Sequence, residues 1–155
     1  MQIDKATPND IPALSALLSV LFTQEAEFTP DTAAQSRGLA RIIEDSGIGT
    51  ILVAREAGQI LGMVNLLFTT STALGARVAL LEDMIVAPQA RGRGVGSLLL
   101  SHAIERACAE GCKRITLLTD RANAAAQRFY ARHGFVSSGM VPMRLLVGEE
   151  KKPPP

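Results

Sequence analysis

The sequence predicts a mixed α/β (α+β) fold: a mostly antiparallel sheet of six to seven strands with four helices on its faces. Three observations lead there. The hydrophobic period switches repeatedly between two and 3.6, giving the order β-α-α-β-β-β-α-β-α-β-β. One strand–loop–helix–strand passage, 77–119, reads as a β-α-β crossover, which makes its two strands parallel. Most of the other strands are joined by short turns and should run antiparallel.

Each element has a local cause. Gln2–Ala6 reads as a strand and about Asp10–Phe22 as a helix, with Leu14, Leu17, Leu18 and Leu21 on one stripe. Pro12 selects Asp10 over Thr7 as N-cap, because proline at the second helical position loses no intrahelical bond. Gln24–Asp31 is a loop with three acids, Glu25, Glu27 and Asp31, and one aromatic, Phe28. A helix over about Asp31–Asp45 spaces Leu39, Ile42 and Ile43 helically and stops near Gly47. Thr50–Glu56 and Gln59–Thr70 form a hairpin through Ala57-Gly58. After a loop at Ser71–Ala76, Arg77–Val86 is the next strand. Gly94–Glu110 is a helix stopped by Gly111, Arg114–Thr119 an apolar strand, and Asn123–His133 a helix ended by Gly134. Phe135–Ser137 and Met143–Val147 read as the last two strands. The single domain spans 1–147, and the charged, proline-rich tail 148–155 is expected to be disordered.

Composition narrows the class. Of 155 residues, 47% are hydrophobic and 20% charged, as in a globular domain able to bury a core. Sixteen basic against fifteen acidic residues leave a net charge of +1, which argues against a dedicated nucleic-acid or membrane-surface binder. No apolar run approaches the ~20 residues of a membrane span, and the N-terminus does not read as a signal peptide. A cytoplasmic location is the expectation. Cys108 and Cys112 do not have C-x-x-C spacing, so they pack as small apolar groups or remain free thiols. Two histidines and no Cys/His cluster predict no metal site. His102 reads as structural, and His133 sits at a helix C-terminus, where a cation is favoured.

The most informative stretch is Leu80–Leu100. A buried strand enters a loop, Arg91-Gly92-Arg93-Gly94-Val95-Gly96, and a helix begins inside it. Glycines allow close backbone approach, and the first helical N–H groups lack internal partners. Two arginines beside them suit a pyrophosphate. The loop is not the dinucleotide fingerprint, because Ser97 stands at its last glycine position, and no Gly-Lys-Ser/Thr follows for a P-loop.

Arg91-Gly-Arg-Gly94-Val-Gly96 resembles the acyl-CoA motif Arg/Gln-x-x-Gly-x-Gly/Ala of the GNAT superfamily of N-acetyltransferases. Downstream, Asn123-Ala-Ala-Ala126-Gln-Arg-Phe129-Tyr130, then Gly134-Phe135, is similar to that family's Asn-x-x-Ala-x-x-Phe-Tyr…Gly-Phe segment. The element order also matches, over residues 1 to about 147. The resemblance implies a GNAT-type sheet with a splayed central parallel pair, Arg77–Val86 and Arg114–Thr119, holding acetyl-CoA as co-substrate. Backbone groups of Met84, Ile85 and Val86 would bond the pantetheine arm. N–H groups from Arg91, Gly92, Arg93, Gly94, Val95, Gly96 and Ser97 would hold the pyrophosphate. Asn123 would bond the pantetheine end, and Ala126 and Phe129 would line the wall.

Acetyl transfer to an amine sets chemical demands. An ammonium of pKa ~10 must lose a proton before it can attack a thioester. The developing oxyanion needs a donor, for which the Ile85 or Val86 N–H is nearest. The leaving thiolate needs a proton or a strong hydrogen bond, and Tyr130, the only tyrosine, matches the family's residue for that role. A phenol near ~10 protonates a thiolate near ~8.5 uphill by about 2 kcal/mol, so Tyr130 either has a lowered pKa or mainly donates a hydrogen bond. The base candidates are Glu82 and Asp83. Strand alternation puts them on opposite faces, so at most one should face a given pocket. Leu81-Glu82-Asp83 resembles the spermidine/spermine acetyltransferases, which favours Glu82 acting through water.

The acceptor expected is a small-molecule or protein amine. Glu25, Glu27 and Asp31 could attract a cationic one such as a polyamine or aminoglycoside. A homodimer is left open. The alternative function is a non-catalytic acyl-CoA-binding or regulatory domain of the same fold.

Overall fold

The computed structural model describes residues 1–25 and 29–148. Glu27, Phe28 and the tail from 149 lie outside the described residues. The described elements run β1 (Gln2–Lys5), α1 (Ile11–Gln24), α2 (Thr32–Glu44), β2 (Gly49–Glu56), β3 (Gln59–Ser71), β4 (Ala76–Val86), α3 (Val95–Ala109), β5 (Ile115–Leu117) and α4 (Ala124–Arg132). Short 3-10 turns precede α1 at Pro8–Asp10 and α3 at Pro88–Ala90. No described helix is long and apolar enough to cross a membrane.

The sheet order is β1-β2-β3-β4-β5, antiparallel except for the parallel β4–β5 pair. Consecutive residues of β2 and β3, such as Val53 and Ala54 or Met63 and Val64, are fully buried, so both sheet faces are covered. Gly62 faces Leu99 of α3, where an added Cβ would come within 3.0 Å of Leu99 Cδ1. Asn65 and Leu67, on the opposite face, look towards α1 and α2. Leu14, Leu17 and Leu18 from α1, Leu39 from α2, and Leu99, Leu100 and Ala103 from α3 complete the core.

The mixed α/β architecture, the parallel pair and the four helices are as the sequence predicts. Two features differ. The described chain has five strands, because 135–137 and 143–147 form none. Val136, Met143 and Val147 are exposed there. Apolar alternation reports what a strand would bury, but pairing needs a neighbour, and β5 bonds β4 over only three residues. With those strands unformed, the parallel pair lies at the sheet edge rather than in its centre.

Asp10 stands at the N-cap position of α1 but makes no capping bond to that helix. Its carboxylate instead takes both Arg55 Nη atoms at 2.9 Å and the Thr7 N–H at 2.8 Å. Arg55 also reaches Asp4 at 3.3 Å. This network joins β1, β2 and the entry to α1, and the Arg55 hydrogen bonds hold the Asp10 carboxyl below its ordinary pKa. The stabilisation is complete above the unfolded pKa of about 3.9 and is lost as pH falls through the lower folded value. Asp10→Ala should therefore cost about 2–3 kcal/mol in urea unfolding at pH 7. Asp10→Asn should flatten the loss of stability below pH about 4.

Candidate active site

The site is organised by β4. Its pairing with β5 ends at Leu81↔Leu117, while β4 itself continues to Val86. Beyond Leu81 β5 offers β4 no further partner, because β5 ends at Leu117, and Met84, Ile85 and Val86 lie past that point. On its other side β4 pairs β3 irregularly: Asn65 faces Glu82, but Met63 faces Ile85, so two β4 residues, Asp83 and Met84, oppose one on β3. Asp83 sits at φ 53, inside the left-handed region. Asn65 Nδ2 supports it with a hydrogen bond to Asp83 Oδ2 at 3.3 Å.

This bulge corrects the expectation that Glu82 and Asp83 point to opposite faces. Both line one cavity of about 300 Å³ under α1 and α2. Regular alternation would have turned Asp83 towards α3, and the left-handed residue breaks it. Burial raises the Glu82 pKa first, the neighbouring Asp83 raises it further, and Arg144 lowers it. Glu82 stays exposed at the cavity mouth, so solvent screens part of this effect. Burial also raises Asp83, against the lowering by the Asn65 hydrogen bond.

The glycine loop closes the far end of β4. Gly92 and Gly94 adopt φ 78 and 79, a conformation that costs glycine little. Gly94 is the N-cap of α3, and the first intrahelical bond runs from Leu98 N–H to Gly94 O at 3.1 Å. The N–H groups of Val95, Gly96 and Ser97 therefore precede the helical ladder, with no side-chain cap on the helix. Arg91 Nε donates to Val86 O at 3.3 Å, tying the loop to the end of β4. Arg93 is drawn the other way, to Glu56 Oε2 at the end of β2, at 2.7 Å.

A wall forms from α4. Asn123 caps this helix, its Oδ1 accepting the Ala126 N–H at 3.0 Å, so only its Nδ2 is left to donate elsewhere. An added Cβ on Gly96 would meet Phe129 Cζ at 3.5 Å and Met84 Cε at 3.6 Å, which places α3, α4 and β4 in mutual contact. Phe129 stacks edge-on with Tyr130 at 5.2 Å, and Tyr130 with Phe135 at 5.7 Å. Burial, then the charge of Glu25, pushes the Tyr130 phenol up to about 12. This direction is opposite to the lowered Tyr130 pKa that was one of two sequence-based expectations, and the ring's packing among aromatics accounts for it.

Several other candidates have structural duties. Asp31 caps α2, accepting the Ala34 N–H at 3.1 Å. His133 caps the end of α4, its Nδ1 3.0 Å from Phe129 O. His102 lines a separate groove with Lys5 and Glu105. Cys108 and Cys112 are free thiols. Among the described residues, no three His, Cys, Asp or Glu side chains gather as metal ligands. Among the polar residues lining the cavity, Gln35 and Asn65 both escaped the sequence reading; Asn65 is 2% exposed. Its signal was a lone amide inside the apolar run Leu61–Phe68.

Comparisons with known proteins converge. The profile of the Acetyltransferase (GNAT) family matches residues 14–135. The chain is similar to the uncharacterized N-acetyltransferase YhfO of Bacillus subtilis (strain 168), at 32% identity over 138 residues, 87% of this chain and 89% of that protein. It is 28% identical to the aminoalkylphosphonate N-acetyltransferase of Salmonella typhimurium, over 88% of this chain and 86% of that one. Among solved structures, a transcriptional regulator from Bacillus halodurans C-125 aligns with a TM-score of 0.81 at 30% identity, covering 94% of this chain and 99% of that chain.

Proposed function

The chain belongs to the GNAT family of acetyltransferases, and from that premise we propose that it moves an acetyl group from acetyl-CoA to a primary amine by direct attack on the thioester. The observation that carries this reading is the placement of two features on one strand. The stretch of β4 past the end of β5 and the unpartnered α3 N–H groups lie at one side of the β4 bulge, and a cavity with two carboxyl groups lies at the other.

The bound co-substrate supplies the activated acetyl group. Backbone groups of Met84, Ile85 and Val86 align the pantetheine arm as an added strand would. Residues Arg91–Ser97 offer N–H donors to the pyrophosphate, at a helix N-terminus that favours anions. Ala126 and Phe129 wall the arm, and Asn123 donates through Nδ2.

Glu82 takes a proton from the incoming ammonium through a water. Its raised pKa brings it closer to neutrality and makes it a better base than an ordinary carboxylate. The N–C bond forms as the C–S bond breaks, and the electron pair goes to sulfur. The Ile85 or Val86 N–H steadies the oxyanion. Tyr130 stays neutral and donates a hydrogen bond to the thiolate. Full transfer from a phenol at about 12 to a thiol near ~8.5 would be uphill by roughly 5 kcal/mol.

Release of free CoA thiol over a panel of primary amines tests this reading. Tyr130→Phe should lower kcat about 10- to 100-fold with the KM for acetyl-CoA little changed, as expected for one lost hydrogen bond to a charge. If acetyl-CoA binds but no amine accelerates thiol release, the chain is an acyl-CoA-binding domain instead. Glu82→Gln should lower kcat/KM about 100-fold. A larger loss in Asp83→Asn would transfer the role of base to Asp83.

The pH profile gives an independent check. Glu82 works only when ionised, so the acid limb of kcat/KM should have its midpoint above the ordinary carboxylate value of about 4.3. Asp83→Asn removes a like charge and should shift that limb to lower pH.

A further inference from the structure

The chain beyond α4 leaves a concentration of apolar side chains in water. Val136, Met140, Val141, Met143, Leu145 and Val147 are 71–93% exposed. Four of them, Val141, Met143, Leu145 and Val147, recur at the two-residue period of a strand and carry no charge. Leu146, between two of these, is less exposed, at 48%. Arg144 lies close enough for its charge to be felt at Glu82. The arm 136–147 thus runs past the candidate site with an apolar stripe turned outward. Among the described residues it pairs with no strand.

The open end of the sheet is a second uncovered feature. Among the described residues β5 bonds only β4, over three residues, and Leu118 just past it is 58% exposed. An edge strand presents N–H and C=O groups without partners, and an extended segment can add to it.

Size argues for a second copy as the occupant. At about 25 cal/mol per Å², six such side chains offer roughly 500 Å² of apolar surface, the most that a monomer ordinarily exposes in one patch. Two arms of that size, each covering a matching area on the other copy, reach the ~1,200–2,000 Å² of a stable specific interface. Number argues the same way. Each chain has one arm and one open edge, so two copies about a two-fold axis cover both arms and both edges and leave nothing over. A net charge of +1 leaves little repulsion between copies.

We propose that the protein is a homodimer in which the arm 136–147 of each copy packs along the β5 edge of the other. Burial of the Val141–Val147 stripe and backbone pairing at that edge hold the copies together. The arm also carries Arg144 past Glu82, so the interface borders the candidate site. The dimer stands apart from the acetyltransferase reading, and its test reads mass rather than turnover.

Sedimentation equilibrium provides the test, because self-association depends on concentration. The wild type should show twice the chain mass at about 100 μM, a concentration that populates any stable dimer. Met143→Glu combined with Leu145→Glu places like charges on each stripe and should raise the dimer Kd at least about 100-fold. Both side chains are exposed in the single chain, so the double variant should fold as the wild type does. Leu74→Glu, at a 48% exposed leucine between β3 and β4, is the control and should leave the dimer unchanged. Amide exchange over 136–147 should be at least about tenfold slower in the wild type than in the double variant. A monomeric wild type overturns the proposal. So does a dimer that survives the double variant, or one that is lost equally in Leu74→Glu. Equal exchange of the arm in the wild type and the double variant overturns it as well.

Discussion

The structure turns on one backbone conformation. Asp83 is held at φ 53 in the middle of a strand whose other residues are extended. A non-glycine residue there costs about 1–2 kcal/mol, although aspartate tolerates it better than most. The surroundings impose it: β3 and β4 pair normally on both sides, and Asn65 bonds the Asp83 carboxyl from the neighbouring strand. Without the bulge, β4 would run as a regular strand, and its two acids would face opposite sides of the sheet.

That single irregularity joins the two sides of the candidate site. On one side, Met84 is turned towards α3 and Phe129. On the other, Glu82 and Asp83 are gathered beneath α1 and α2. The same gathering sets the electrostatics. Each carboxyl loses water, and Glu82 also feels the charge of Asp83, so ionisation becomes harder at both. The sequence neighbours Glu82 and Asp83 thus become spatial partners through the geometry of one residue.

The legible parts of the chain were those governed by local rules. Helical periodicity located α1, α2 and α3, and glycine spacing located the α3 N-terminus, because both depend on a few contiguous residues. The Asn123–Phe135 segment was legible for the same reason: Asn123 caps its own helix, and Phe129, Tyr130 and Phe135 stack on one another. Legibility failed where a residue's duty was set by a distant partner. Asp10 looked like a cap, and Arg55, 45 residues away, takes its carboxylate. Arg93 reaches Glu56 at the end of β2, 37 residues away, a pairing that no local pattern announces. The strands expected at 135–137 and 143–147 had the right pattern but no described partner.

By itself, then, the sequence determined the order of the elements from β1 to α4, the glycine-rich helix start, and the candidate groups for the chemistry, Glu82, Asp83 and Tyr130. Those follow from propensity and from functional groups that each residue carries alone. Tertiary structure decided which way the groups face and how readily they ionise. It placed both acids in one cavity, raised the Tyr130 pKa by burying it among aromatic rings, and brought Asn65 against Asp83. Orientation after a bulge, desolvation and a cross-strand hydrogen bond all arise from contacts between residues far apart in the chain, and no local pattern encodes them.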